Sequence, residues 1–250
     1  MSLPSDNPVL DVRGLTFPAD GSLLCEVGFA VGEGETVAFL GPAGSGKSAL
    51  LACLSGTVHP AAGAVWANGT PFHLLSADQK RAFRLRHFGL VHQETMFLPE
   101  LTVAQNVALP LVFAGVGLAE ATERAHTWLA RFEIAEHAAA RPNELSCAPA
   151  RRAALARAMV NDPLVLFADE PFADLTVDAA RSTARIMRSI AASHATAVVV
   201  FTRHRSSAEQ CRRTVHLVAG RTSAEPLGAW SARAALPDRL PEAAGPVGPG

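Results

Sequence analysis

Polar and apolar positions alternate in short blocks at the start of this chain. Residues 9–13, 27–31 and 36–40 read as short strands, separated by the turn formers Pro18-Ala19-Asp20-Gly21 and Gly32-Glu33-Gly34. After Gly41 the pattern becomes strand, glycine loop and helix, the helix running over about residues 47–55. Residues 65–67 precede Asn68-Gly69, a hairpin-type turn. From Ala77 to about Ile134 the apolar positions recur mostly at helical spacing and predict a helical insert. Residues 163–168 and 195–201 are continuous apolar runs, short enough for strands buried on both faces. Such strands with helices between them predict an α/β core with a parallel, helix-covered sheet beside a β-rich N-terminal part.

Composition narrows the class without changing that picture. The 250 residues are 49% hydrophobic and 18% charged, with a formal net charge of −1. These are globular values, and no bulk basic charge points to nucleic acid. Cys25, Cys53, Cys147 and Cys211 form no C-x-x-C pair or His-flanked cluster, so neither a zinc site nor a disulfide framework is expected. A reduced cytosolic setting follows. Residues 1–12 lack the basic and apolar segments of a signal peptide, and no apolar run reaches the ~18 residues of a membrane span. Work at a membrane is therefore expected from a peripheral subunit. Residues 237–250, rich in Pro, Ala and Gly, read as a mobile tail.

The strongest chemical signal is Gly41-Pro42-Ala43-Gly44-Ser45-Gly46-Lys47-Ser48, a G-x-x-x-x-G-K-[ST] loop that follows an apolar strand and opens a helix. Its glycines let successive backbone N–H groups converge on phosphate oxygens, and the helix N-terminus adds positive potential. Lys47 is expected to reach the β- and γ-phosphates, and Ser48 to ligate Mg²⁺. Such a loop needs an acidic partner at the end of a neighbouring strand, which residues 164–170 supply. Asp169 is expected to bind Mg²⁺ through water, and Glu170 to orient or deprotonate the attacking water.

From Val9 to about Arg221 the order of motifs resembles that of the ABC ATPases. The P-loop is followed by Gln93 after the strand-like Gly89-Leu90-Val91-His92, then by Leu145-Ser146, by Asp169-Glu170-Pro171, and by a strand ending at Thr202. The resemblance implies that Gln93 touches Mg²⁺ and the attacking water and senses a membrane partner. The segment from Met96 to Leu111, M-F-L-P-E-L-T-V-A-Q-N-V-A-L-P-L, resembles the lipoprotein-release and macrolide-export subgroup. Members of that subgroup pair with permeases.

The chain also departs from the family pattern. Where the family has L-S-G-G-Q, this chain has Leu145-Ser146-Cys147-Ala148-Pro149, so Ser146 is the retained binding position. In ABC dimers this loop holds the partner's γ-phosphate. Side chains at 147 and 148 obstruct close backbone approach, and Pro149 removes an N–H donor, so the contact across the dimer is expected to weaken while the fold survives. Thr176 stands where an Asp helps couple the two sites, and Arg203 where the switch histidine is expected, with His204 one place later. Phe17, the nearest aromatic to the place of the adenine platform, serves as that platform or as core. Cys147 has no positioned base in the sequence that would make it a nucleophile.

The resemblance implies an ABC-type ATPase domain over residues 1–236, with a helical subdomain at about 77–160, binding ATP and Mg²⁺. Its implied partners are a membrane permease subunit and a second ABC ATPase chain, in a homodimer or heterodimer, at the cytoplasmic face of the inner membrane. Nucleic acid is not an expected partner. Hydrolysis is expected to be slow or partner-dependent; the alternative is a regulatory or structural nucleotide-binding subunit with little turnover. A DNA-repair or translation ABC protein fits less well, without a long heptad insertion or second cassette. A small-molecule kinase would lack the ordered Gln93, Leu145-Ser146 and Asp169-Glu170 series.

Overall fold

The computed structural model describes residues 8–19 and 22–223. The expected mobile tail at 237–250 lies outside the described residues, as do Asp20 and Gly21 of the first turn. The chain opens with β1 (Leu10–Ala19), β2 (Ser22–Val31), β3 (Thr36–Leu40), α1 (Lys47–Leu54) and β4 (Ala62–Ala67). It continues with α2 (Ala77–His87), β5 (Phe88–Val91), α3 (Val103–Phe113), α4 (Leu118–Arg131) and α5 (Cys147–Met159). The last part holds β6 (Val165–Asp169), α6 (Val177–Ser193), β7 (Ala197–Thr202), α7 (Arg205–Ala208), β8 (Arg213–Val218) and β9 (Arg221–Ser223).

Among the described residues the strands form two sheets. One is antiparallel, in the order β2-β1-β4; the other has the order β5-β6-β7-β3-β8-β9. The second sheet is parallel except for its β8–β9 edge. The first two strands outrun the expected 9–13 and 27–31 because β1 bends at register shifts between Val12 and Leu15 and between Leu15 and Phe17. Such irregularities interrupt the two-residue alternation that reveals a strand.

The parallel sheet is buried on both faces, which explains its uninterrupted apolar runs. Val37, Phe39, Val165, Phe167, Ala197, Val199 and Phe201 turn to a core shared with α1 and the antiparallel sheet. Their neighbours Ala38, Leu166, Ala168, Val198 and Val200 turn to a core shared with α3, α4, α5 and α6. Successive side chains point to opposite faces, so each strand serves both cores. In α4 the buried Ala121, Ala125, Trp128 and Leu129 form one stripe at helical spacing, directed into the second core.

The helical expectation for 77–134 holds for α2, α3 and α4 and fails at β5, which pairs with β6 in the parallel sheet. The strand starts one residue before the strand-like 89–92. At Gly89 a Cβ would stand 2.4 Å from the Ala158 carbonyl oxygen, so glycine permits the close approach of α5 to this edge. Among the described residues no helix is long and apolar enough to cross a membrane.

Candidate functional site

The carboxyl ends of β3, β6 and β7 lie side by side, with Leu40 paired to Thr202 and Asp169 to Phe201. In open α/β sheets ligands bind outside this edge. The P-loop leaves β3 and enters α1, which begins at Lys47 with Gly46 as its cap in the left-handed region at φ 101°. A Cβ there would stand 2.8 Å from Leu24 Cδ2; one on Gly41 would stand 2.1 Å from the Leu217 carbonyl oxygen. The two outer glycines of the motif are thus fixed by backbone conformation and close packing as well as by ligand chemistry.

Lys47 folds back over its own loop. Its Nζ donates to the carbonyl oxygens of Gly41 at 2.7 Å and Pro42 at 2.8 Å, and to Ser45 Oγ at 3.3 Å. Burial lowers the pKa of its ammonium; the Glu170 and Asp169 carboxylates oppose that shift, and Arg203 adds to it. Asp169, at the end of β6, is pushed up by burial and then by the charge of Glu170, with Lys47 and His92 opposing.

Glu170 is buried and, unusually for a residue with a side chain, has a positive φ of 47°. One carboxylate oxygen accepts from Thr202 Oγ1 at 2.8 Å, and the other accepts from the Arg203 backbone N–H at 2.8 Å. The Arg203 guanidinium is 3.9 Å from that second oxygen. Strain at a buried carboxylate held by its neighbours is the kind that collects at functional sites.

Gln93 follows β5 and is exposed; its carbonyl oxygen accepts from the buried Arg151 of α5. Arg157 of the same helix donates to the carbonyl oxygens of Thr95 and of Met96, the latter at 2.9 Å, and covers the Phe97 ring, its guanidinium carbon lying 4.8 Å from the centroid. The loop that carries Gln93 is therefore held by the helix that follows Ser146. Sequence reasoning missed these two arginines, and also Thr202; the arginine-rich run from Arg151 to Arg157 was the available signal.

Of the expected residues, Ala43, Gly44, Gly46, Lys47, Ser48, Gln93, Asp169, Glu170 and Arg203 line one cleft of about 250 Å³. Gly41, Pro42 and Ser45 support it from behind: Gly41 N–H donates to the Thr202 carbonyl at 3.1 Å, and Ser45 is buried. Phe17 does not line the cleft and packs against the N-terminal core. Ser146 is exposed at the start of α5, away from this cleft. Arg203 and not His204 lines the cleft; His204 precedes α7 and takes the Arg203 Nε–H on its ring at 3.3 Å. Thr176 caps α6, its hydroxyl accepting from the Ala179 N–H at 3.3 Å.

The donor chemistry fits magnesium held together with a phosphate ligand. Ser48, Gln93 and Asp169 offer oxygen atoms alone, and Mg²⁺ usually takes few protein ligands and completes its octahedron with water and phosphate. Among the described residues there is no cluster of three or more His, Cys, Asp or Glu side chains that would hold a metal unaided.

Known proteins share this arrangement. Residues 24–173 match the family model described as ABC transporter. The macrolide export ATP-binding/permease protein MacB of Burkholderia pseudomallei is 34% identical over 247 residues, covering 97% of this chain and 37% of that protein. The chain thus spans little more than a third of the length of the MacB relatives it matches. The lipoprotein-releasing system ATP-binding protein LolD of Pseudomonas syringae pv. tomato is 35% identical over 222 residues, covering 87% of this chain and 98% of that one. A dimeric ATP-binding cassette solved in a post-hydrolysis state with ADP and Pi superposes with a TM-score of 0.77 at 28% identity, covering 86% of this chain and 97% of that one. With its P-loop, its Asp169-Glu170 pair and Gln93 gathered at one sheet edge, the chain belongs to the ATP-binding proteins of the ABC transporter family.

Proposed function

We propose that this chain is the ATP-binding subunit of a permease-coupled complex of the lipoprotein-release or macrolide-export kind, and that it hydrolyses ATP slowly or in a partner-dependent way. The observation that carries the reading is the convergence of Lys47, Ser48, Asp169, Glu170 and Gln93 on one cleft at the ends of adjoining parallel strands. The P-loop amides bind the phosphates, with Lys47 moving from its loop carbonyls to the β- and γ-phosphates. Ser48, Asp169 and Gln93 would hold magnesium, which would neutralise charge on the phosphate oxygens. Glu170 orients the attacking water and takes its proton, a role suited to phosphoryl transfer, where positioning and charge do most of the work.

A second groove, of about 420 Å³, supports the permease part of the reading. It is lined by Leu85, Leu90, Pro110 and Phe113 with Arg81, Arg84 and Arg157 among them. Phe113 is 70% exposed, an unusual state for a large aromatic that a partner segment would relieve. We place the permease contact there and the chain at the cytoplasmic face of the inner membrane. A second cassette supplies its signature loop to the cleft. Because Cys147, Ala148 and Pro149 replace the family's glycines and glutamine, a standard partner cassette would complete this site better than a second copy.

The test is nucleotide binding and steady-state hydrolysis by the chain, alone and with its permease, beside Lys47→Ala and Glu170→Gln. Lys47→Ala is expected to weaken ATP binding at least about 10-fold, and Glu170→Gln to abolish turnover while keeping binding, a loss of about 10²-fold or more. Hydrolysis untouched by Glu170→Gln would overturn the assignment of the base.

A further inference from the structure

We propose that Thr202 is the positioning residue of the base, its buried hydroxyl holding the Glu170 carboxylate in the orientation it presents to the cleft. The inference rests on the reading of Glu170 as the group that takes the water proton.

β7 is apolar from Ala197 to Phe201 and ends on Thr202, which is fully buried. A hydroxyl in such a place costs stability unless it is hydrogen-bonded. Here it is bonded twice, accepting from the His204 N–H at 3.0 Å and donating to one Glu170 oxygen at 2.8 Å. The direction of the second bond is fixed, since an ionised carboxylate only accepts and the hydroxyl has a single hydrogen to give. The other Glu170 oxygen accepts from the Arg203 backbone N–H at 2.8 Å. The Arg203 guanidinium is 3.9 Å from that oxygen, beyond hydrogen-bond reach, and its Nε–H is given to the His204 ring at 3.3 Å. Among the described residues the Thr202 hydroxyl is therefore the one side-chain donor that orients the carboxylate.

The main chain ties the same two places together. Glu170, at its positive φ, donates its own N–H to the Phe201 carbonyl at 2.9 Å, so a strained backbone and its side chain are both fastened to the end of β7. The Thr202 carbonyl accepts from the Gly41 N–H at 3.1 Å, at the start of the P-loop. One residue thus links the base, through its side chain, to the phosphate cradle, through its backbone. A carboxylate offers about four lone-pair sites, so two bonds orient it and still leave it able to accept from water. Without the hydroxyl the carboxylate could turn about its side-chain bonds, and a misplaced reacting group loses rate rather than ligand affinity. A hydroxyl that served only the turn into α7 would leave the rate alone.

The experiment is single-turnover hydrolysis of magnesium ATP by an excess of the full chain, followed against protein concentration so that the chemical step and the affinity are read separately. The variants are Thr202→Val, Thr202→Ala, Thr202→Ser, Glu170→Gln and Thr202→Val combined with Glu170→Gln. Thr202→Val, which keeps the shape and removes the hydroxyl, should slow the chemical step about 10-fold or more and change the affinity by less than about twofold. Thr202→Ser, which keeps the hydroxyl, should restore the rate to within about threefold of wild type. In the Glu170→Gln background Thr202→Val should cost nothing further, because there is then no base to orient. An unchanged rate in Thr202→Val, a loss that Ser does not restore, or a full additional loss in the combined variant overturns the proposal. A parallel loss of affinity and rate in both Thr202→Val and Thr202→Ala would mark the hydroxyl as structural and overturn it as well. If Glu170→Gln and the wild type turn over alike, or neither turns over, the reading of Glu170 as the base fails and this inference falls with it.

Discussion

Asp169 and Glu170 set two carboxylates at the end of one buried strand, where burial penalises the charge on Asp169 and the Glu170 carboxylate adds repulsion. The raised pKa of Asp169 means that the folded chain binds its proton more readily than the unfolded chain does. The sign follows: stability falls as pH rises through the interval between the ordinary carboxylate value and the raised one, and the penalty persists at neutral pH. Asp169→Asn should therefore raise the melting temperature of the nucleotide-free protein at pH 7, with the gain shrinking as pH drops below the ordinary carboxylate range. Thermal unfolding of both proteins across pH decides this; a lower melting temperature for the Asn variant at pH 7 would count against it. Gly41 makes the opposite case, a site residue required by packing. Its missing Cβ would collide with backbone at 2.1 Å, so Gly41→Ala should lose about 3 kcal/mol in urea unfolding, before any effect on phosphate. Both residues were legible in the sequence because the P-loop and the Asp-Glu pair are contiguous. Thr202 and Arg151 were not, since their roles arise only where β7 meets β6 and α5 meets the Gln93 loop.

The same distinction appears among the elements. The three central strands were legible because burial on both faces leaves an uninterrupted apolar run, and α2 and α3 begin at capping boxes, Ser76 with Gln79 and Thr102 with Gln105. β5 was read as the strand-like 89–92 yet left inside the helical insert, because four residues, one of them glycine, are too few to outweigh flanking helical periodicity. α5 shows how an altered motif leaves a helix intact. It starts at Cys147 and carries Pro149 in its first turn, where the backbone N–H groups have no partner within the helix and a missing one costs nothing. The substitutions should thus weaken the contact across the dimer without weakening the fold. Replacing Cys147, Ala148 and Pro149 together by Gly, Gly and Gln should raise hydrolysis by the homodimer about 10-fold or more, while two added glycines cost the helix at most about 2 kcal/mol. An unchanged rate in a folded triple variant would show that the step limiting turnover lies elsewhere.

Across the whole molecule α5 links features that lie far apart in the chain. Its first residues carry the altered signature, Arg151 holds the Gln93 carbonyl, and Arg157 both binds the 95–97 loop and lines the groove beside Phe113. A partner segment pressed into that groove would bear on the same guanidinium that fixes the loop carrying Gln93, some distance from the phosphates. The groove was not legible in the sequence, because its walls come from α2, β5, α3 and α5, and no local pattern announces where they meet. Phe113→Asp separates docking from chemistry. Its side chain is exposed and touches no part of the cleft, so the folded chain should keep its melting temperature within about 2 °C, the shift that roughly 0.5 kcal/mol produces in a domain of this size. Magnesium-dependent ATP binding should also be unchanged. If the permease docks there as proposed, placing a carboxylate into that apolar contact should weaken the association about 10-fold or more and bring hydrolysis in the assembled complex down to the rate of the chain alone. Co-purification and hydrolysis with and without permease measure both terms. Loss of nucleotide binding in the isolated variant would show that groove and cleft are not separable, whereas full stimulation in the assembled complex would move the permease contact to another face.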